Sequence, residues 1–403
     1  QPRLVERFPG VAQRLGRHLL EAGRLEDALE PLLLGAREHL RLSEYPAAHA
    51  VLDQVADVAA RLNLGAGDER RGEAWVLRAQ VYVEEHRFEE ASEYADLADQ
   101  GARAHHWVKV GAAAAAVLGH VAYQHGDTPA SREALVRART AYEQVKDAQG
   151  IAQSVLGLGD AAYQAGDFDG ADALYKEALV VAQKAGDLTS MAKSLWGQGY
   201  VRMHRGNTTA ARACFERQLI LFDRAGSQYG RAISHNALGE AARLEGRFVD
   251  AEENYRKSLD ITDAIGAGGR TIINLNLVLC LLQQGSFAAA RKELDRIWAA
   301  VEASDQVTTL LGGWGMQAAC AAHERHWDLF DAQLERMEGF LEKHPMYDGD
   351  TALELFIAGE QAGKAGDRAR ARRAYAISRN QWLGLGRVER VTQVDRALAA
   401  WKD

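Results

Sequence analysis

Glycines recur along this chain with a constant period, and that recurrence limits the fold more than any other feature. Gly126, Gly166, Gly206 and Gly246 are spaced 40 residues apart; Gly285 follows 39 residues later, and Gly366 lies 81 residues beyond it. Each sits in a similar phrase, from Gln124-His125-Gly126-Asp127 and Gln164-Ala165-Gly166-Asp167 to His204-Arg205-Gly206-Asn207 and Leu244-Glu245-Gly246-Arg247. Seven residues earlier stands a second glycine: Gly119, Gly159, Gly199, Gly239 and Gly359, with Gly16 ahead of Gly23. Five residues after the turn comes a small residue (Ala28, Ser131, Ala171, Ala211, Ala251, Ala290, Ala371). Nine residues after it comes a large one (Leu32, Leu135, Tyr175, Phe215, Tyr255, Leu294, Tyr375). A fixed period of this size marks a chain made by stacking one supersecondary unit many times.

The unit is a helical hairpin. A turn glycine adopts the left-handed conformation that ends a helix sharply. The mid-helix glycine and the small residue let two antiparallel helices approach closely, and the large residue fills the space between neighbouring hairpins. The clearest helices are expected at 149–164, 168–185, 189–204 and 208–225. β-Branched residues are sparse, no stretch alternates apolar and polar, and only 6 prolines interrupt the chain, so no sheet is expected. The fold class is all-α, a solenoid of antiparallel helix pairs.

Gln153 to Leu179 reads QSVLGLGDAAYQAGDFDGADALYKEAL. With Leu158-Gly159, Tyr163, the Gly166-Asp167-Phe168 turn, Ala171, Tyr175 and Ala178, it resembles a tetratricopeptide repeat. A repeat beginning near Arg71 carries Trp75, Tyr82 and Ala91 in the same pattern, but has His86 at its turn and Ala79 where glycine is usual. Another, over 312–341, is degenerate, with Arg325-His326-Trp327 at its turn. The resemblance covers 71–385. Its period of 40 is the long form, since the usual repeat is about 34 residues. Phrases such as Lys184-Ala185-Gly186-Asp187 and Arg224-Ala225-Gly226-Ser227 lengthen the second helix and its exit loop. The long form is similar to the repeats of bacterial multidomain signalling proteins. The resemblance implies a right-handed superhelix with each first helix on the concave side and each second helix outside.

Three segments are expected: a degenerate helical cap over 1–62, an array of about eight repeats over 63–385, and a capping helix over 386–403. In the cap, Gly23 and Ser43 are 20 residues apart with Ala28 and Ala48 in equivalent places, so one helix at about 26–42 serves two hairpins. The phrase from Arg17 to Gly23, followed by Ala28-Leu29-Glu30-Pro31-Leu32-Leu33, resembles the segment after the ATPase and winged-helix modules of bacterial STAND-type and kinase–ATPase–repeat regulators. The chain starts Gln1-Pro2-Arg3, which reads as a piece of a longer polypeptide.

Catalytic signatures are missing from the sequence. Gly157-x-Gly159 is explained by the repeat and opens no strand-to-helix phosphate loop, and no GxxxxGK[ST] occurs. His105-His106 are adjacent and so diverge on a helix or lie in a loop. His323 and His326 share a face beside Glu324, but no HExxH or further ligand supports them. No GxSxG elbow exists, and the pairs Glu84-Glu85 and Glu89-Glu90 read as solvated helix faces. The expectation is a non-catalytic chain without cofactor or metal. Net charge is −8 with both signs mixed throughout, which argues against non-specific nucleic-acid binding. Cys214, Cys280 and Cys320 are far apart and fit a reducing, cytoplasmic compartment; no run of 18 apolar residues suggests a membrane span.

What remains is the lining of the concave side. Helical spacing selects His120, Tyr123 and Gln124; Asp160, Tyr163 and Gln164; Lys193, Trp196, Tyr200 and His204; Asn236, Glu240 and Arg243; and Leu275, Asn276 and Leu279. Trp196 and Tyr200, one turn apart, form an aromatic platform of the composition favoured at binding hot spots. The pairings of Asn236 with Glu240 and Lys193 with Trp196 do not reproduce the carboxylate clamp of some family members. The expected function is a protein-binding scaffold or sensor array that takes a protein or peptide and regulates an attached ATPase, kinase or effector. The alternatives are a receptor for a peptide pheromone or small ligand, and an enzyme hidden on the solenoid.

Overall fold

A computed structural model describes residues 10–42, 44–266, 268–304 and 306–399. Gln1-Pro2-Arg3, the expected turn residue Ser43 and the end of the 386–403 segment lie outside the described residues. Those described contain twenty helices and no strand. The chain divides into two compact units, Gln1–Val201 and Arg202–Asp403.

Unit 1 contains α1 (Val11–Glu21), α2 (Leu25–Arg41), α3 (Tyr45–Arg61), α4 (Glu69–Glu84), α5 (Phe88–His105), α6 (Val108–Gln124), α7 (Thr128–Gln144), α8 (Ala148–Gln164), α9 (Phe168–Ala185) and most of α10 (Leu188–His204). Helix α2 packs against both α1 and α3; from α4 onward the helices pair as α4/α5, α6/α7 and α8/α9. Unit 2 contains α11 (Thr208–Ala225), α12 (Gln228–Leu244), α13 (Phe248–Ile265), α14 (Arg270–Gln283), α15 (Phe287–Glu302), α16 (Val307–Glu324), α17 (Trp327–Lys343), α18 (Gly349–Lys364), α19 (Arg368–Gly384) and α20 (Val388–Ala399).

Local chemistry sets the boundaries. Gly126, Gly166, Gly206 and Gly246 all have φ between 74° and 79°, as the ladder requires. Directly after three of them, Asp127, Asp167 and Asn207 accept the N–H of Ala130, Gly170 and Ala210, satisfying a donor that the new helix leaves open. A second ladder ends the second helices: His106, Lys146, Gly186, Gly226 and Gly266 are all left-handed. His86 and Arg325 occupy that conformation in the two repeats whose turns lack glycine.

The mid-helix glycines make room for large side chains within the hairpin and do not simply let backbones touch. A Cβ at Gly159 would lie 2.7 Å from the Tyr175 ring, and one at Gly239 2.6 Å from that of Tyr255. Gly119 receives Leu135, and Gly359 receives Tyr375. Tyr175 also covers Gly197 of the following helix, as Leu135 covers Gly157. One large side chain therefore locks its own hairpin and the next. Gly159→Ala is expected to cost about 1–3 kcal/mol through overpacking, read as a lower denaturation midpoint. Tyr175→Leu in the same chain should recover part of that loss; purely additive costs would contradict the fit.

In unit 2 the first helices of successive hairpins pack on one another: α14 meets α16 and α18, and α16 meets α18. Residues 277–282 of α14 are accordingly all buried, although they fall on every side of the helix. A helix enclosed all round has no solvated face to keep polar.

Candidate functional site

The expected lining is best assembled in unit 1, where α6, α8 and α10 each contribute their first-helix face. His120 and Gln124, one turn apart on α6, are exposed, with Gln124 Nε2 at 3.2 Å from His120 Nε2. Gln164 of α8 donates to the Tyr123 carbonyl at 3.3 Å and accepts from the Thr128 hydroxyl at 3.2 Å, tying two hairpins together at one edge. Tyr163 is half-buried and meets Phe168 edge-on at 5.3 Å.

Asp160 lies among these groups and accepts the Tyr175 hydroxyl at 2.8 Å. Burial pushes its carboxyl up to about 6, against the opposing pull of the Tyr175 hydrogen bond and the Lys193 charge. The crowded surroundings of His120, and then the charges of Lys193 and His86, push that imidazole down to about 4. His120 is therefore neutral at pH 7, a donor and acceptor with no charge. Lys193 is exposed on α10, and its charge acts on both groups, so α6, α8 and α10 form one electrostatic neighbourhood. On the same helix Trp196 and Tyr200 meet with centroids 4.5 Å apart and planes tilted by 52°, both partly exposed.

A pH effect follows from Asp160. Its folded pKa exceeds the ordinary 3.8, so its contribution to stability is complete below about pH 4 and is lost as pH rises through about 6. Asp160→Asn should flatten that part of the stability–pH curve. An unchanged curve would contradict the assigned environment.

The remaining expected residues lie in unit 2 and are more dispersed. His204 is exposed, its pKa lowered by burial and then by Arg387. Asn276 donates to Asn236 at 3.1 Å, an amide rung between helices one repeat apart. Glu240 is half-buried. Leu275 and Leu279 belong to the core. Arg243 departs most from the expected placement. It is 5% exposed, donates to both Asp350 oxygens at 2.9 and 3.2 Å, and reaches Gln283 at 3.3 Å. Held inside unit 2 by Asp350 and Gln283, Arg243 lines no open surface.

Three further features went unread in the sequence: the Tyr175–Asp160 bond, the Arg243–Asp350 pair and the buried Glu354 of α18. Only Glu354 left a trace, in the off-period glycines Gly312 and Gly315 opposite it. The cysteines are all buried, and burial pushes Cys280 up to about 11 and Cys320 up to about 12. Among the described residues no cluster of three or more His, Cys, Asp or Glu could hold a metal, and no helix is long and apolar enough to cross a membrane.

Family profiles described as tetratricopeptide repeat match residues 116–187, 156–220 and 190–264. These helix pairs form a tetratricopeptide-repeat array. A search of curated proteins by sequence finds no match. Among solved structures, a Rap protein complexed with competence and sporulation factor superposes with a TM-score of 0.63 at 12% identity, over 93% of this chain and 99% of that one. The apo form of RapI gives 0.62 at 10% identity, covering 89% and 98%. A STAND ATPase with a tetratricopeptide-repeat sensor, from Pyrococcus horikoshii, gives 0.53 at 14% identity, covering 97% of this chain and 53% of that one. At these identities the likeness is one of fold. The array accordingly shares the all-α solenoid architecture of these proteins.

Proposed function

We propose that the array is a non-catalytic recognition module that binds a protein or short peptide across the first-helix face of unit 1. The observation that carries this reading is the composition of that face. The large ladder residues turn into the hairpins, leaving a neutral imidazole, two amides, an exposed ammonium and the contacting Trp196–Tyr200 pair at the surface. Aromatic groups beside mixed hydrogen-bonding partners are the anchors that extended peptides use. Peptide binding is favoured over a large protein surface by the likeness to a Rap protein solved with competence and sporulation factor. A role as the sensor of a larger signalling protein is compatible with it and draws support from the likeness to the STAND sensor.

The test begins with peptides selected on the full chain from a random display library. Trp196→Ala with Tyr200→Ala should weaken their binding on the order of 1,000-fold, because two central anchors of at least about 2 kcal/mol each are removed. Thermal unfolding should show that the variant stays folded. Undiminished affinity in a folded double variant would sink the proposed site.

A further inference from the structure

Glu354 of α18 is 1% exposed, and neither of its carboxyl oxygens has a hydrogen-bond partner among the described residues. It rests against α16 where that helix has no side chains: a Cβ at Gly312 would lie 3.5 Å from Oε1, and one at Gly315 would collide with Oε2. Neither glycine stands at a ladder position; the ladder residue of that helix, seven before the Arg325 turn, is Ala318. A carboxyl in a made-to-measure seat, without partners, is costly unless something else uses it.

The surrounding charges are unbalanced. Asp348 caps α18 by accepting the Thr351 N–H at 2.7 Å, and Asp350 takes Arg243. Three carboxyls thus share one cation, and that guanidinium is committed to both oxygens of Asp350 and to Gln283. Asp350 is 43% exposed, so the cluster opens to solvent one helical turn from Glu354.

We infer that the start of α18 is a recognition site for a small organic cation, an ammonium or guanidinium group that pairs with Glu354. Such a group supplies the missing charge and the missing donors together. It can belong to a free amine or to a basic side chain of a peptide. Burial first, and then Asp350 and Asp348, hold the Glu354 carboxyl well above the ordinary range, with Arg243 opposing them; where its oxygens meet α16 they lie against Gly312 and Gly315. Burial therefore favours the protonated acid in the empty site over the carboxylate. Pairing needs the carboxylate, so the proton leaves to bulk water as the cation enters.

Isothermal titration of the full chain at pH 7, in two buffers of different ionisation enthalpy, reads that proton. The probes are butylammonium, methylguanidinium, a blocked arginine amide and, as neutral control, a blocked norleucine amide. Expected is binding of cationic probes only, with net proton release, abolished in Glu354→Gln. Binding of the small cations but not of the blocked arginine supports a free amine as occupant; binding of both supports a basic peptide. The inference is overturned if no cation binds, if the cations bind without proton release, or if a folded Glu354→Gln chain binds them unchanged. The wild-type proton count decides the matter even where the variant does not fold.

Discussion

Arg243→Ala is expected to lower the stability of the chain by about 3 kcal/mol, whereas Arg243→Met should cost much less. The guanidinium is buried and donates to Asp350 and Gln283, so truncation removes two hydrogen-bonded contacts and the packing of a long stem. Breaking a fully buried pair costs about 3–5 kcal/mol. Here the lower end applies, because Asp350 is partly exposed and can turn to water once abandoned. Methionine keeps most of the volume and leaves only the lost bonds. Denaturant unfolding of both variants separates the contributions. Equal losses would mean that charge, and not packing, fixes this region.

Tyr175→Ala should be at least as damaging, at about 3–5 kcal/mol, while Tyr175→Phe should cost about 1 kcal/mol. The ring is 1% exposed and occupies the recess at Gly159 while covering Gly197, so its removal leaves a cavity bordered by two glycines that cannot fill it. Phenylalanine fills the recess and loses only the bond to Asp160. A small difference between the two variants would show that the hydroxyl, and not the ring, holds these hairpins together. Calorimetric or denaturant midpoints measured on both chains decide it.

The period made the hairpins legible because it reports on backbone conformation. A residue at φ near 75° and a ring seated on a glycine both demand particular residue types, so Gly166, Gly159 and Tyr175 announce their roles. Helix ends follow almost as directly: 168–185 and 208–225 agree with the expected spans, and α8 and α10 each begin one residue earlier than expected. The positions of His120, Asp160 and Tyr163 on their helices were readable for a similar reason, since they hold fixed stations relative to the turn glycines. Contacts between residues far apart in sequence carried no such signature. Arg243 meets Asp350 across 107 residues, and nothing in the repeat predicts that the first helices of unit 2 close upon one another. The glycines at 312 and 315 were visible, but their purpose was not, because Glu354 belongs to a different hairpin.

The central functional claim is that the first-helix face of unit 1 is the surface that meets the ligand. Photo-cross-linking tests it most directly. A selected peptide carrying a benzophenone group is irradiated with the full chain, and the attached residues are mapped by mass spectrometry. The predicted result is labelling within α6, α8 and the part of α10 that holds Lys193, Trp196 and Tyr200. Labelling confined to the second helices α7 and α9, or to unit 2, would contradict it.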